Sequence, residues 1–357
     1  MIPLHKQYPR LEATLSHLPF GTFPTPVEPL AGLCSRLNRS SLYIKRDDLS
    51  ATPYGGNKIR KLEFLLADAR KRGAVRIITS GAAGSNHALA TAIYSRKYGF
   101  DCTLMLFAQP PGHGIGRQLL ADFATSAELL HDATYTAHCR HLSEVVTRYT
   151  KTDGVPPYVI PAGGSSAIGV AGYVNAAFEL AAQIRRGELP EPAAIYITLG
   201  TMGTVAGLLL GLTASGIKST VAAVQVVPEA VADHRKLAIL FKESNKLLHD
   251  ADPSFPLIRY EQASLELKYN YLGDGYGIST PATDAAIAIF RDSDDLILDP
   301  VYTGKTAAAF LDDIVTERLH QKPVLFWNTK SAHAAPVPNP PPDYRKLPPE
   351  LHTYFSG

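Results

Sequence analysis

Cysteine is scarce in this chain, and the few present do not pair up. Cys34, Cys102 and Cys139 are odd in number and far apart, which argues against a disulfide framework and fits a reducing, cytoplasmic setting. Net charge is small as well: 35 Lys and Arg against 33 Asp and Glu leave +2, so no strong field for nucleic acid or an anionic membrane is implied. Long apolar runs are missing. The stretch Val205 to Leu212 falls well short of a membrane span, and Met1 to Leu18 lacks the continuous apolar segment of a secretory signal. There is no internal repeat and no Gly-x-Ser-x-Gly nucleophile elbow. His138, Cys139 and His141 read as one polar helix face rather than a metal cluster, and His113 between two glycines reads as a loop residue; no metal is expected. What remains is a soluble globular chain, 45% hydrophobic and 19% charged, whose 357 residues are too many for one ordinary core.

Short β-rich runs alternate with longer helical ones, which predicts an α/β fold of parallel sheets flanked by helices. Strands are expected at Leu42–Lys45, Val75–Thr79, Thr103–Phe107, Tyr158–Pro161, Ala194–Thr198, Val221–Val227, Leu296–Leu298 and Val324–Trp327. Helices are expected near Lys58–Arg72, Asn86–Tyr98, Ile115–Thr125, Arg140–Tyr149, Ile168–Arg186, Thr204–Ala214, Thr280–Phe290 and Lys305–His320. From residue 335 onward the chain holds seven of its 27 prolines. That tail favours an extended form and is expected to pack along the surface or hang free, with partner binding as the alternative.

Three segments carry chemistry. In Gly55-Gly56-Asn57-Lys58 the glycines let the backbone turn tightly and approach a ligand, and the run Ile59, Leu62, Leu65, Leu66, Ala69 has helical spacing. Lys58 then projects from the mouth of a helix, where burial lowers an amine's pKa and suits it to Schiff-base chemistry. Taken alone, the pattern also fits a solvated lysine in a first helical turn. Gly200, Thr201, Met202, Gly203 and Thr204 lie between an apolar strand and a helix, either as a phosphate cup of amides and hydroxyls or as a plain strand–helix turn. They are not a dinucleotide fingerprint, since the third glycine falls at Gly207 and no acid closes the next strand. Ser85, in Gly84-Ser85-Asn86-His87, suits an N-cap whose exposed amides attract a carboxylate.

The string Gly55-Gly56-Asn57-Lys58-Ile59-Arg60-Lys61-Leu62-Glu63 resembles the cofactor-lysine segment of the 1-aminocyclopropane-1-carboxylate deaminase and D-cysteine desulfhydrase family. These are pyridoxal-phosphate enzymes of the tryptophan-synthase-β type, fold type II. Lys45-Arg46-Asp47-Asp48-Leu49, Gly84-Ser85-Asn86-His87, Pro161-Ala162-Gly163-Gly164-Ser165 and Leu298-Asp299-Pro300-Val301-Tyr302-Thr303-Gly304-Lys305 match in the same order. The likeness spans residues 24 to 327. It implies a small lobe of residues 59–171 inserted into a large lobe of 1–58 and 172–357, with the cofactor in the cleft between them, and a homodimer acting on a small amino acid.

Residue by residue, the resemblance implies Lys58 as the cofactor lysine and 200–204 as the loop holding its phosphate. Ser85 and Asn86, with His87 beside them, take the substrate carboxylate, and Asn86 also bonds the cofactor's 3′-oxygen. Tyr276 and Tyr302 stand beside the cofactor, one lining the pocket and the other assisting proton transfer. Asp47 and Asp48 are either structural or adjacent to the cofactor. Where relatives carry a glutamine before the serine, this chain has Gly84, which opens the pocket. Thr303 stands where the deaminases have a glutamate for the pyridine nitrogen, and Thr329 where they have leucine. A hydroxyl there makes a weaker electron sink than a carboxylate, which favours loss of a β-leaving group over ring opening. The reading is therefore β-elimination, D-cysteine giving pyruvate, ammonia and sulfide. The rivals are a cyclopropane-acid deaminase, a cysteate sulfo-lyase, and a catalytically silent cofactor-binding protein that interacts through its tail. In place of the desulfhydrase His-Thr-Gly-Gly the chain reads Asn328-Thr329-Lys330-Ser331. Lys330 is expected to point to solvent, with a sulfonate or carboxylate partner as the alternative.

Overall fold

The structure, a computed structural model, describes residues 1–112, 114–316 and 319–355; His113 lies outside them. In chain order the strands are β1 (Val27–Pro29), β2 (Leu42–Lys45), β3 (Arg76–Ala82), β4 (Asp101–Phe107), β5 (Glu128–Asp132), β6 (Tyr158–Ile160), β7 (Ala194–Leu199), β8 (Thr220–Gln225), β9 (Leu265–Lys268) and β10 (Val324–Trp327). They form a six-stranded sheet, β1-β2-β10-β7-β8-β9, and a four-stranded one, β5-β4-β3-β6. Among these pairs β1 alone runs antiparallel to its neighbour. β7 is buried along its whole length and β8 over all but its first residue, which is why both read as continuous apolar runs. The α/β class of fold type II, with mostly parallel sheets flanked by helices, is as expected.

Several elements differ from the sequence reading. Leu296–Leu298 is not a strand. Leu296 and Leu298 are buried and Ile297 is 74% exposed, so the stretch alternates as a strand would but follows a helix end without joining a sheet. β1, β5 and β9 were not foreseen; they are short, and β9 mixes Glu266 and Lys268 with its leucines, which blurs a strand pattern. The 18-residue helix His234–Ala251 was also missed, although Leu237, Leu240, Phe241, Ser244 and Leu248 form its buried stripe. The helix expected to reach His320 ends at Ile314, and residues 317 and 318 of that expectation lie outside the described residues.

The core of the larger sheet is built on two helices that approach unusually closely. Ala167–Arg185 and Gly203–Ser215 meet at Gly207 and Gly211, where an added Cβ would lie 2.4 Å from Tyr173 Cβ and 2.6 Å from Ala177 Cβ. Only glycine permits this approach. Ala167–Arg185 is long and apolar enough to cross a membrane by length and composition, yet most of it is buried inside the protein. Its other face carries Glu179 and Gln183, which decide how the Lys45-Arg46-Asp47-Asp48 segment is used. Arg60 donates to Asp47 (2.7 and 2.9 Å) and to Glu179 (2.9 and 3.0 Å). Lys45 donates to Glu179 and Gln183, each at 2.6 Å, and Tyr173 donates to Asp47 at 2.6 Å. Burial would raise the Asp47 pKa, but Arg60 overcomes it and holds the carboxyl near about 2. Asp47 is absent from the cavity wall described below, so its part is structural: it locks β2 to two helices.

The tail docks rather than hangs. Leu347 and Leu351 are buried with Ile115 and Leu119, and Tyr344 stacks on Phe355.

Candidate active site

A cavity of about 930 Å³ opens where carboxyl ends of strands from both sheets converge. Ser80–Ala82 of β3, Phe107 of β4 and Thr198 of β7 contribute to its wall, as does Thr329 just beyond β10. This is where parallel α/β sheets place their ligands.

Lys58 is the first residue of the helix Lys58–Lys71. It is half-buried, lines the cavity, and its amine donates to Asn57 Oδ1 at 2.8 Å. Burial, opposed by Asp299 and reinforced by Lys330, lowers its pKa from 10.5 to about 8. Asn57 Nδ2 donates to Thr204 Oγ1 at 3.1 Å, which ties the lysine turn to the 200–204 loop. There Met202 takes a left-handed φ of 69° to start the helix Gly203–Ser215. Gly200, Thr201, Met202 and Thr204 line the cavity. Gly203 lies behind them, its N–H donating to Ser165 Oγ at 3.1 Å, and Ser165 Oγ donates to Thr201 Oγ1 at 2.9 Å.

Lys61, not singled out from the sequence, completes this corner. Its amine donates to Gly163 O at 2.9 Å and lies 2.9 Å from where a Cβ on Gly203 would stand. Burial, then the charge of Lys58, pushes its pKa well down. The signal was available, since residues three apart on a helix share a face. Gly163 is required for the corner to close: its φ is 66°, and a Cβ would stand 2.0 Å from Thr201 Oγ1. Amides at a helix N-terminus, two threonine hydroxyls, Ser165 and a buried amine make a donor set suited to a phosphate. With Lys58 alongside, the residues present fit pyridoxal phosphate.

Ser85 caps the helix Asn86–Lys97 by accepting the Ala88 N–H at 3.2 Å, and it lines the cavity with Asn86 and His87. His87 Nε2 pairs with Thr79 Oγ1 at 3.0 Å while its Nδ1 has no partner. Burial, then Lys58 and Lys61, holds this imidazole well below its ordinary pKa, hence neutral. Tyr276 and Tyr302 share a hydroxyl–hydroxyl hydrogen bond on the cavity wall. Burial raises Tyr276 to about 12 and Tyr302 upward as well, so both remain phenols near neutrality.

Two expectations are corrected here. Thr303 is fully buried and absent from the cavity wall. Its hydroxyl donates to Asp299 Oδ1 at 2.7 Å and accepts the Asp299 N–H at 2.9 Å, which leaves no free hydrogen for a cofactor. Asp299 also accepts the N–H groups of Val301, Tyr302 and Thr303, so Thr303 is spent on a helix-start turn. Of Thr303 and Thr329, it is Thr329 that lines the cavity. Lys330, expected in solvent, instead turns into the cavity and donates to Asn86 Oδ1 at 3.0 Å. The opening left by Gly84 is also partly filled. Gln109 accepts the Gly84 N–H at 2.9 Å and lines the cavity. The tail residue Tyr354 holds Gln109 in place by bonding both its N–H and its carbonyl at 3.0 Å. No sequence pattern pointed to Gln109, which is far from Tyr354 in the chain. His138 and His141 both pair with Asp132, at 3.2 and 2.9 Å.

The comparisons agree with this geometry. Residues 18–330 match the family model described as pyridoxal-phosphate dependent enzyme. A D-cysteine desulfhydrase of Klebsiella pneumoniae (strain 342) is 36% identical over 338 residues, covering 92% of this chain and 95% of the relative. One from Salmonella typhimurium is 36% identical over 343 residues, covering 93% and 98%. Among solved structures, an ACC deaminase homologue superposes with a TM-score of 0.77 at 31% identity, covering 93% of this chain and 95% of the other. An L-serine ammonia-lyase from Rhizomucor miehei shares the fold at 18% identity, with a TM-score of 0.60 and coverage of 88% and 95%. From its buried lysine, its phosphate-ready loop and these relatives, the chain belongs to the pyridoxal-phosphate dependent enzymes.

Proposed function

We propose that this enzyme is a carbon–sulfur lyase that converts D-cysteine and water to pyruvate, ammonia and sulfide. Pyridoxal phosphate, when bound, supplies the electron sink that makes the Cα–H bond of an amino acid acidic. The protein's own groups do the rest. Lys58 would hold the cofactor, and its amine, with a pKa of about 8, is suited to take the α-proton near neutrality. The helix N-terminus at Ser85 and Asn86 holds the α-carboxylate. The Tyr276–Tyr302 pair, kept protonated by burial, can deliver a proton to the departing sulfur. Loop 200–204 with Lys61 and Ser165 holds the phosphate.

The observation that carries elimination over ring opening is Thr329. The wall bears this hydroxyl, and no Asp or Glu side chain lines the cavity among the described residues. With a hydroxyl and no carboxylate on the wall to stabilise a pyridinium, the ring nitrogen of a bound cofactor would stay largely unprotonated, which favours prompt loss of a β-leaving group. The reading extends to a homodimer, as the resemblance implies, and to a reducing compartment, the latter supported by three free cysteines. It also extends to a small lobe of 59–171 carried on a large lobe of 1–58 and 172–357. The four-stranded sheet supports that division, since it draws every strand from residues 76–160.

The test is product release by the purified holoenzyme from D-cysteine, L-cysteine, β-chloroalanine and 1-aminocyclopropane-1-carboxylate. Pyruvate from D-cysteine should exceed 2-oxobutyrate from the cyclopropane acid. Faster ring opening would make the enzyme a deaminase, and silence on every substrate would leave a cofactor-binding protein without this activity.

A further inference from the structure

The cavity wall beside Asn86 holds a cation that the proposed reaction does not use. Lys330 Nζ donates to Asn86 Oδ1 at 3.0 Å and to the Tyr54 hydroxyl at 3.3 Å, and it lies 5.5 Å from the Tyr54 ring centroid. All three contacts are neutral. Among the described residues no carboxylate lies within ion-pair distance of it. Asp299, the acid that acts on it most strongly, has both oxygens occupied by Val301, Tyr302 and Thr303. Lys330 is half-buried on the cavity wall; an ammonium partly withdrawn from water without an anion is costly, and burial pushes its pKa down.

The segment that carries this lysine is fixed. Gly55 N–H donates to Ser331 Oγ at 3.0 Å and Asn57 N–H to Thr329 O at 3.0 Å. Residues 329–331 are thereby pinned to the same turn that presents Lys58.

With the cofactor's 3′-oxygen assigned to Asn86, matching the remaining anions to cations leaves Lys330 over. Lys58 is committed to the cofactor carbon, Lys61 and the 200–204 loop to the phosphate, and the Ser85 turn to the α-carboxylate. The fourth lysine on the wall, Lys236, is half-exposed and sits 3.8 Å from Asp233. Lys330 is the lysine that lies half out of water, close to the carboxylate-binding turn and without a negative partner among the described residues.

We propose that Lys330 receives a second anionic group on the substrate, so that besides D-cysteine the cavity takes, and binds more tightly, amino acids whose β-substituent is a sulfonate or a leaving group that ends in a carboxylate or sulfonate. This rests on the reading above that the Ser85 turn takes the α-carboxylate, and it names the substrate class of that site. The ammonium carries three protons, two of them already directed at Asn86 and Tyr54. The third is free for an anion oxygen, and the Tyr54 hydroxyl and Asn86 amide stand beside it.

The test uses unreactive probes on the holoenzyme. Succinate and 3-sulfopropionate carry two anions and butyrate one, at similar length and without an amine. By calorimetric titration the two dianions should bind about tenfold to a hundredfold tighter than butyrate, the range of one charge-assisted hydrogen bond. Lys330→Met should abolish most of that gap, and Lys330→Gln, a second variant that keeps a polar side chain without charge, should do the same. Equal affinities in the wild type, or a gap that survives both substitutions, would overturn the assignment. Uniform weakening of all three probes would place Lys330 on the α-carboxylate and overturn it as well. Pyruvate release from β-chloroalanine, measured on the same preparation, tests elimination separately. Its absence would sink the proposed reaction, whereas its presence with no dianion preference would sink only the second-anion site.

Discussion

Lys58 should titrate as an amine near neutrality even in the apoprotein, before cofactor or substrate enters. Burial is the largest cause of its lowered pKa, about 8 against the ordinary 10.5; Asp299 opposes the shift and Lys330 adds to it. At pH 7 an amine of pKa 8 is about 9% neutral and one of pKa 10.5 about 0.03%, a ratio of about 300-fold in reactive form. Trace acetylation with acetic anhydride reports this fraction, because only the neutral amine attacks. The cavity of about 930 Å³ admits so small a reagent. Incorporation at the Lys58 peptide, measured by mass spectrometry and normalised to free Nα-acetyl-lysine in the same tube, should be half-maximal near pH 8. The neighbours fix the direction of two further shifts. Lys330→Met removes a repelling charge and should move the midpoint up, while Asp299→Asn removes an attracting one and should move it down. A wild-type midpoint near 10.5, or mutant shifts of the opposite sign, would refute the account of how this lysine is activated.

Thr303→Val should act on stability and Thr329→Val on the cofactor. The first loses a hydrogen bond to a half-buried carboxylate, about 1.5–3 kcal/mol by chemical denaturation, with the visible spectrum of bound cofactor unchanged. The second should alter that spectrum and slow pyruvate release; the reverse pattern would return Thr303 to the cavity. Glu179→Gln keeps volume but strips Arg60 of one of its two carboxylates and Lys45 of the one it pairs with, and should cost about 3–5 kcal/mol. In the same denaturation assay carried to acid, the contribution of Asp47 should be complete above its unfolded value of 3.8 and vanish as the pH falls through about 2. A loss already complete at pH 5 would contradict that assignment.

Much of this protein follows from local sequence. The alternation of apolar runs and helical periods specifies parallel sheets, because each strand covered on both faces must be apolar throughout. Gly55-Gly56-Asn57-Lys58 marks a reactive lysine at a helix start, and Thr198 to Thr204 marks a strand–helix turn rich in donors, because these are properties of a few consecutive residues. Lys61 was equally legible, three residues after Lys58 on one helix. Other features depend on which distant segments meet. Thr303 and Thr329 are both threonines where the deaminases have another residue, yet the reach of Asp299 to its own turn occupies the first, while the second lies on the cavity wall. Lys330 looks like a surface cation in a polar string, and only the pinning of 329–331 to residues 55–57 turns it inward beside Tyr54 and Asn86. Gln109 fills the space at Gly84 because Tyr354, 245 residues away, holds it there. The direction in which a side chain points, and so the charge left unpaired in the cavity, is set by packing between segments that no local pattern relates.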